Sequence, residues 1–206
     1  MEPFQVHQGV AAPMLLNNID TDAIIPSREM KRVSKKGLGE GLFAGWRYTL
    51  PGGREPNPDF VLNQSAYVGA SILLGGANFG CGSSREHAAW ALKEFGIRAL
   101  IAPSFGSIFY SNCIRNGILP VVLTPAAIDQ LSQAIEAGPQ CAQLRIDLPR
   151  QRVATPNGSQ YDFEIDAGHK RMLLEGLDGI ALTLEHATDI DAFEAADRRS
   201  RPWIYG

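Results

Sequence analysis

The chain is poor in the residues that build metal and disulfide centres. Its 206 residues include three cysteines, Cys81, Cys113 and Cys141, and four histidines, His7, His87, His169 and His186. The cysteines are odd in number and widely spaced, and no C-x-x-C occurs, so no disulfide framework or redox dithiol is indicated. No H-x-x-x-H pair occurs either. A zinc or iron–sulfur site built from this chain alone is not expected, and no cofactor is assigned to it. No apolar run approaches the ~18 residues of a membrane span. The opening Met1-Glu2-Pro3-Phe4-Gln5-Val6-His7 lacks the charged and apolar regions of a signal peptide, from which a cytoplasmic location and no membrane partner are expected. An excess of one charge is also missing. Lys+Arg number 19 against 22 Asp+Glu, for a net charge of −3 with the signs interleaved, so nucleic acid is not an expected partner. Internal repeats and low-complexity tracts are absent.

What remains is an ordinary globular composition, 45% hydrophobic and 20% charged, with material for a sizeable core. Residues 4–16 read as an opening strand broken at Pro13, and Asn17-Asn18-Ile19-Asp20-Thr21-Asp22 as a polar turn. Ala23-Ile24-Ile25 is a short apolar piece ended by Pro26. Residues 27–58 are irregular, and Lys35 to Gly41 within them is expected to be mobile. Strands are expected at Tyr67–Leu74, Ala99–Ala102 and Ile118–Leu123. Helices are expected at Ser84–Phe95, Ile108–Asn116 and Ala126–Ala137, the first two closed by Gly96 and Gly117. Strands alternating with helices imply βαβ units and a parallel sheet. Gln143–Leu148 and Gln160–Ile165 read as an antiparallel hairpin, with the Asn157-Gly158 turn signal between them. A helix at His169–Leu177, a strand at Ile180–Leu184 and a helix at Asp189–Arg199 complete the series. One α/β domain over 1–206 is the simplest reading, with 198–206 a basic and aromatic tail.

The stretch richest in chemistry is Asn78-Phe79-Gly80-Cys81-Gly82-Ser83-Ser84-Arg85-Glu86-His87, a glycine turn between a strand and a helix. Ser83 and Glu86 fit the S-x-x-E capping box, so one reading is that Ser83 caps the helix. The other is an anion site. Glycines admit a close backbone approach, helix N–H groups favour negative charge, and Arg85 beside Ser83 and Ser84 can hold a carboxylate bidentately. Donors aimed at the Ser83 oxygen would make an alkoxide accessible. Asp20 and Asp22 can do acid–base work or close an Asx-turn. Asn112 is a weaker candidate. His87 is placed to brace the helix start. No Ser-His-Asp arrangement accompanies the serines, which counts against a stand-alone hydrolase.

Several of these stretches together resemble the small subunits of isopropylmalate dehydratases, the swivelling domain of the aconitase superfamily. The likeness rests on Asn18 to Pro26, Gly41 to Tyr48, Pro56 to Asn63, the turn Asn78 to His87, and Ile101 to Phe105 with Ile108 to Asn112. It covers nearly the whole chain. The resemblance implies a swivelling β/β/α fold, an α/β mixed sheet with flanking helices, with 27–58 as the substrate-recognition region. It implies hydro-lyase chemistry on a small di- or tricarboxylate, converting 2-isopropylmalate to 3-isopropylmalate in leucine biosynthesis. It also implies a partner, a large subunit that carries a [4Fe–4S] cluster. On this sequence it makes Ser83 the catalytic base and Arg85 the carboxylate grip, with Ser84 beside it and Asp22 at the site edge. Phe43, Trp46 and the region of Trp203 are candidates for the partner interface.

The segment after Pro26, where the family reads its substrate, departs from the usual aromatic-and-leucine pattern. Here it is Ser27-Arg28-Glu29-Met30-Lys31-Arg32. Arg28, Met30 and Lys31 are the candidate substrate contacts, and Glu29 stands in the aromatic position. A more polar or smaller substrate, of the homoaconitate or citraconate/methylmalate type, is therefore kept as an alternative. A non-catalytic carboxylate-binding module is a second.

Overall fold

The computed structural model describes residues 1–30, 36–83, 85–138 and 142–205. Lys31, Ser84 and Cys141 lie outside the described residues. The chain divides into two compact units, Met1–Gly176 and Leu177–Gly206.

The first unit is built on a seven-stranded mixed sheet in the order β4-β3-β2-β1-β5-β6-β7. Its parallel half comprises β1 (Val6–Met14), β2 (Ala70–Gly75), β3 (Ala99–Ala102) and β4 (Leu119–Val122). Its antiparallel half comprises β5 (Gln143–Asp147), β6 (Arg152–Ala154) and β7 (Gln160–Asp162). The expected hairpin is thus a three-strand meander. β6 lies between the two predicted strands, and the Asn157-Gly158 turn joins β6 to β7. Pro13 does not break β1 but pairs in register with Leu74. The Ala11 N–H points away from β2, to the Ala142 carbonyl. Two residues on, the Pro13 nitrogen faces the same way, past the end of the β5 pairing, where the missing N–H costs no ladder bond.

Period-two alternation splits the strand side chains between two cores. Leu73, Leu100 and Ala102 join one cluster, with α3 (Glu86–Phe95), α4 (Ser107–Asn116), Leu42 and Phe43. Ile72, Leu74, Ala99, Ile101 and Val121 join the other, with α5 (Pro125–Glu136), Leu144, Phe163 and Leu173 of α6 (Ala167–Glu175). Coverage on both faces explains why β2 and β3 read as unbroken apolar runs. Phe43 is fully buried and stacks on Trp46 with ring centroids 5.9 Å apart. It is therefore core, not surface available to a partner.

Two short helices precede β2. Ala23-Ile24 belongs to a one-turn helix, α1 (Thr21–Ile24), and α2 spans Ala44–Arg47. Gly37 to Gly41, expected to be mobile, is anchored. The Glu94 carboxylate accepts from the N–H groups of Gly37 (2.5 Å) and Gly39 (2.7 Å), and Arg47 Nη1 donates to the Gly39 carbonyl (3.0 Å).

The second unit holds α7 (Gly179–Leu184), α8 (Ala187–Ser200) and a 3-10 turn over Pro202–Ile204. The strand expected at Ile180–Leu184 is a helix. Asp178 caps it, its side chain accepting from the Ala181 N–H at 2.8 Å, and no strand neighbour pairs with it among the described residues. The tail is held on α8. Asp197 Oδ2 accepts from the Tyr205 hydroxyl at 2.7 Å and Oδ1 from Arg201 Nε at 2.5 Å. Trp203 is exposed.

Candidate active site

The site lies beyond the carboxyl ends of β1, β2 and β3, the place where open α/β sheets receive ligands. Backbone and amide bonds zip the three loops there. The Asn18 N–H donates to the Ala77 carbonyl (2.8 Å), Gly80 N–H to Ile19 (2.7 Å), Thr21 N–H to Cys81 (3.0 Å) and Phe79 N–H to Ser104 (3.0 Å). Asn78 Nδ2 donates to Asn18 Oδ1 at 2.9 Å. Gly80 is required for this closeness. It has φ +74°, and a Cβ there would stand 2.1 Å from Cγ of Phe109. The glycine thus lets the turn seat on a core ring.

Ser83 is exposed at the end of the turn, and its Oγ lies 3.1 Å from Thr21 Oγ1. Thr21 is fully buried. The capping box does not form. The N-cap of α3 is Arg85, extended at φ −71°, ψ 132° and without a side-chain cap bond. Glu86 instead accepts from Asn116 Nδ2 at 3.0 Å. Ser83 therefore stands ahead of the helix start, and capping does not account for it.

The two aspartates of the polar turn divide their duties. Asp20 is the N-cap of α1, its Oδ1 accepting from the Ala23 N–H at 2.6 Å. Asp22, more than half exposed, pairs with Arg85, Nη1 to Oδ1 at 2.7 Å. The same Nη1 donates to Ser27 Oγ at 2.7 Å. Ser83, Thr21, Asp22, Arg85 and Ser27 thus form one patch. A bidentate carboxylate grip would use the Nε/Nη2 edge of the Arg85 fork.

The other candidates have other partners. Arg28 Nε lies 3.4 Å from Glu29 Oε1. Met30 packs against the core cluster of α3 and α4. Glu29, which stands in the aromatic position, is bound by Arg54 at 2.7 Å with only 9% of its side chain exposed. Asn112 is buried in α4. His87 packs on Trp90, ring centroids 4.7 Å apart. Cys81 and Cys113 are free thiols, and burial pushes the Cys113 thiol up. Among the described residues no group of three or more His, Cys, Asp or Glu is arranged to hold a metal ion. No helix among them is long and apolar enough to cross a membrane.

The sequence reading missed Thr21, Ser27 and Arg54. Thr21 sat inside a turn read for its carboxylates alone. A buried hydroxyl next to an exposed serine from another loop has no local sequence signal. A cavity of about 670 Å³ is lined by residues such as Pro103, Val122, Thr124, Tyr161 and Phe163. None of the site residues borders it. The Ser83 patch is the better candidate because it joins a hydroxyl, a guanidinium and a carboxylate.

A mixed sheet whose parallel half presents an exposed serine and an arginine fork in the loop after β2 defines the class, the swivelling domain of aconitase-type enzymes. The Aconitase C-terminal domain family matches residues 1–126 and LeuD_N matches 129–167. The C-terminal domain family of the 3-isopropylmalate dehydratase small subunit matches 180–206. The 3-isopropylmalate dehydratase small subunit of Cupriavidus necator is 62% identical over 205 residues, covering 100% of this chain and 99% of its own. That of Xanthobacter autotrophicus is 54% identical, covering 99% and 100%. Among solved structures, the 3-isopropylmalate dehydratase of Methanocaldococcus jannaschii is similar at TM-score 0.66 and 27% identity, covering 92% of this chain and 99% of its own. The chain belongs to the 3-isopropylmalate dehydratase small subunit family.

Proposed function

We propose that the chain is the small subunit of a heteromeric hydro-lyase that converts 2-isopropylmalate to 3-isopropylmalate in leucine biosynthesis, active only with a large subunit. One observation carries the reading within this family. Ser83 and Arg85 from one turn meet Thr21 and Asp22 from another at the carboxyl end of the sheet. In the reaction, Ser83 Oγ takes the proton from the carbon next to the one that bears the hydroxyl. The C–H electrons form the double bond, and the hydroxyl departs with its bonding pair and takes one proton from solvent to leave as water. Rehydration adds a hydroxyl to the deprotonated carbon and a proton to the carbon that first bore the hydroxyl. Arg85 orients the substrate through a carboxylate, with Ser84 beside it in the chain and Asp22 fixing the guanidinium. Thr21 holds the Ser83 oxygen in place.

In this reading the [4Fe–4S] cluster belongs to the large subunit, where it would supply the Lewis acid for the departing hydroxyl. The substrate is a small dicarboxylate and the setting cytoplasmic. Glu29 is engaged inside the chain by Arg54 and Arg28, so it does not argue for a more polar substrate. Purified small chain should be inactive on 2-isopropylmalate and gain turnover when reconstituted with a cluster-bearing large subunit. Turnover only of homoaconitate-type or citraconate-type acids by that pair would overturn the substrate. Binding without turnover would overturn the enzyme reading.

A further inference from the structure

The 3-10 turn Ser27–Met30 is tied to the site at one end and to a remote segment at the other. At the site end Ser27 Oγ accepts from Arg85 Nη1. At the far end the nearly buried Glu29 carboxylate accepts from Arg54 Nη2 at 2.7 Å and neighbours Arg28. Glu29 is also wedged sterically. A Cβ on Gly41 would stand 2.7 Å from Glu29 Cβ. Arg54 is itself held, its guanidinium 5.0 Å from the Tyr48 ring centroid, while the Tyr48 hydroxyl donates to the Glu40 carbonyl at 2.8 Å. A carboxylate taken this far from water requires its cation, and removing that cation displaces the acid and the turn that carries it.

We infer that Arg54 is a positioning residue: through Glu29 it sets the Ser27–Met30 turn and, through Ser27, the orientation of the Arg85 guanidinium that binds the substrate carboxylate. This deepens the proposed function and rests on it. The pair acts on substrate binding rather than on the base, since the contacts of Glu29 run to Arg54 and Arg28 while Ser83 is held by Thr21.

The test uses the reconstituted complex with Arg54→Met, Arg54→Lys, Glu29→Gln and the double variant Arg54→Met/Glu29→Gln. Arg54→Met should raise KM for 2-isopropylmalate roughly tenfold while kcat stays within about twofold, the pattern of lost ground-state positioning. Arg54→Lys should recover most of the loss. Glu29→Gln should raise KM by less, and the double variant should be no worse than Arg54→Met alone, because both act through one contact. If Arg54→Met fails to fold, Glu29→Gln against Arg54→Lys carries the test. An unchanged KM in the assembled variants, additive losses, or a fall in kcat without a change in KM would overturn the inference. Should the wild-type complex accept a different dicarboxylate, the proposed substrate fails, but the same comparison run on the accepted acid still decides the role of Arg54.

Discussion

Replacing Thr21 by Val separates the fold from the chemistry more cleanly than any other single change. The side chain is fully buried, so it does not reach substrate, and valine keeps its shape while deleting the hydroxyl 3.1 Å from Ser83 Oγ. In the resting protein that hydroxyl makes one ordinary hydrogen bond, worth about 0.5–1.5 kcal/mol net. Its loss should lower Tm by about 1–6 °C in a chain of this size. When Ser83 acts as the base its oxygen carries negative charge, and the same contact becomes charge-assisted, worth about 1.5–3 kcal/mol. Only the difference between the two states, about 1–1.5 kcal/mol, slows the chemical step, so kcat should fall by roughly 5- to 13-fold, at 1.36 kcal/mol per decade. Steady-state kinetics of the reconstituted complex, with thermal unfolding of the small chain alongside, give both numbers. Thr21→Ser should restore most of kcat, and KM should change little. A folded, assembled Thr21→Val with kcat within about threefold of wild type would refute the positioning argument.

Further outcomes follow from the same geometry. Gly80→Ala should destabilise the small chain by about 3 kcal/mol. A left-handed residue costs about 1–2 kcal/mol, and the Phe109 ring occupies the Cβ position at an overpacking cost of about 1–3 kcal/mol; denaturant titration checks it. Glu94→Gln should loosen the Gly37–Gly41 turn and lower Tm by about 2–4 °C at neutral pH, a small effect because the carboxylate is solvent-screened. Burial pushes the Glu94 carboxyl up, but the N–H groups of Gly37, Gly39 and Leu38 and the Lys36 charge outweigh it and hold it below its usual 4.5. The unfolded chain therefore binds this proton first. The contribution of Glu94 is fully present above about pH 4.5 and is lost as pH falls through the lower folded value. The gap between wild type and Glu94→Gln in thermal scans should close only in that acid range.

Much of this was legible in the sequence where local signals agree with tertiary ones. The strand at Ala99–Ala102 and the helix ended by Gly117 were found because apolar runs and left-handed glycines coincide with their packing. Long-range partners were not legible. Glu94 anchors Gly37 and Gly39 from a distant helix, so the turn looked mobile. Arg54 neutralises Glu29 from 25 residues along the chain, a pairing with no local signal. The S-x-x-E pattern suggested a cap, but an extended Arg85 moves the start of α3 past Ser83. The Ile180–Leu184 alternation fits a strand, yet the Asp178 cap makes it helical, with no pairing edge among the described residues. β6 is three residues long, too short to carry a period. Placing Ser83, Arg85 and Asp22 together depended on motif resemblance, whereas the contact of Thr21 with Ser83 emerged only from the folded chain.

The central claim is that this chain carries the base of the reaction at Ser83. Its most direct test is kcat on 2-isopropylmalate for Ser83→Ala reconstituted with the large subunit, at matched assembly. The account predicts a loss of at least ~10³-fold, about 4 kcal/mol of barrier. Stability should fall by only about 0.5–1.5 kcal/mol, since one hydrogen bond to Thr21 is removed and no helix cap. Turnover within about tenfold of wild type in the assembled variant would contradict it.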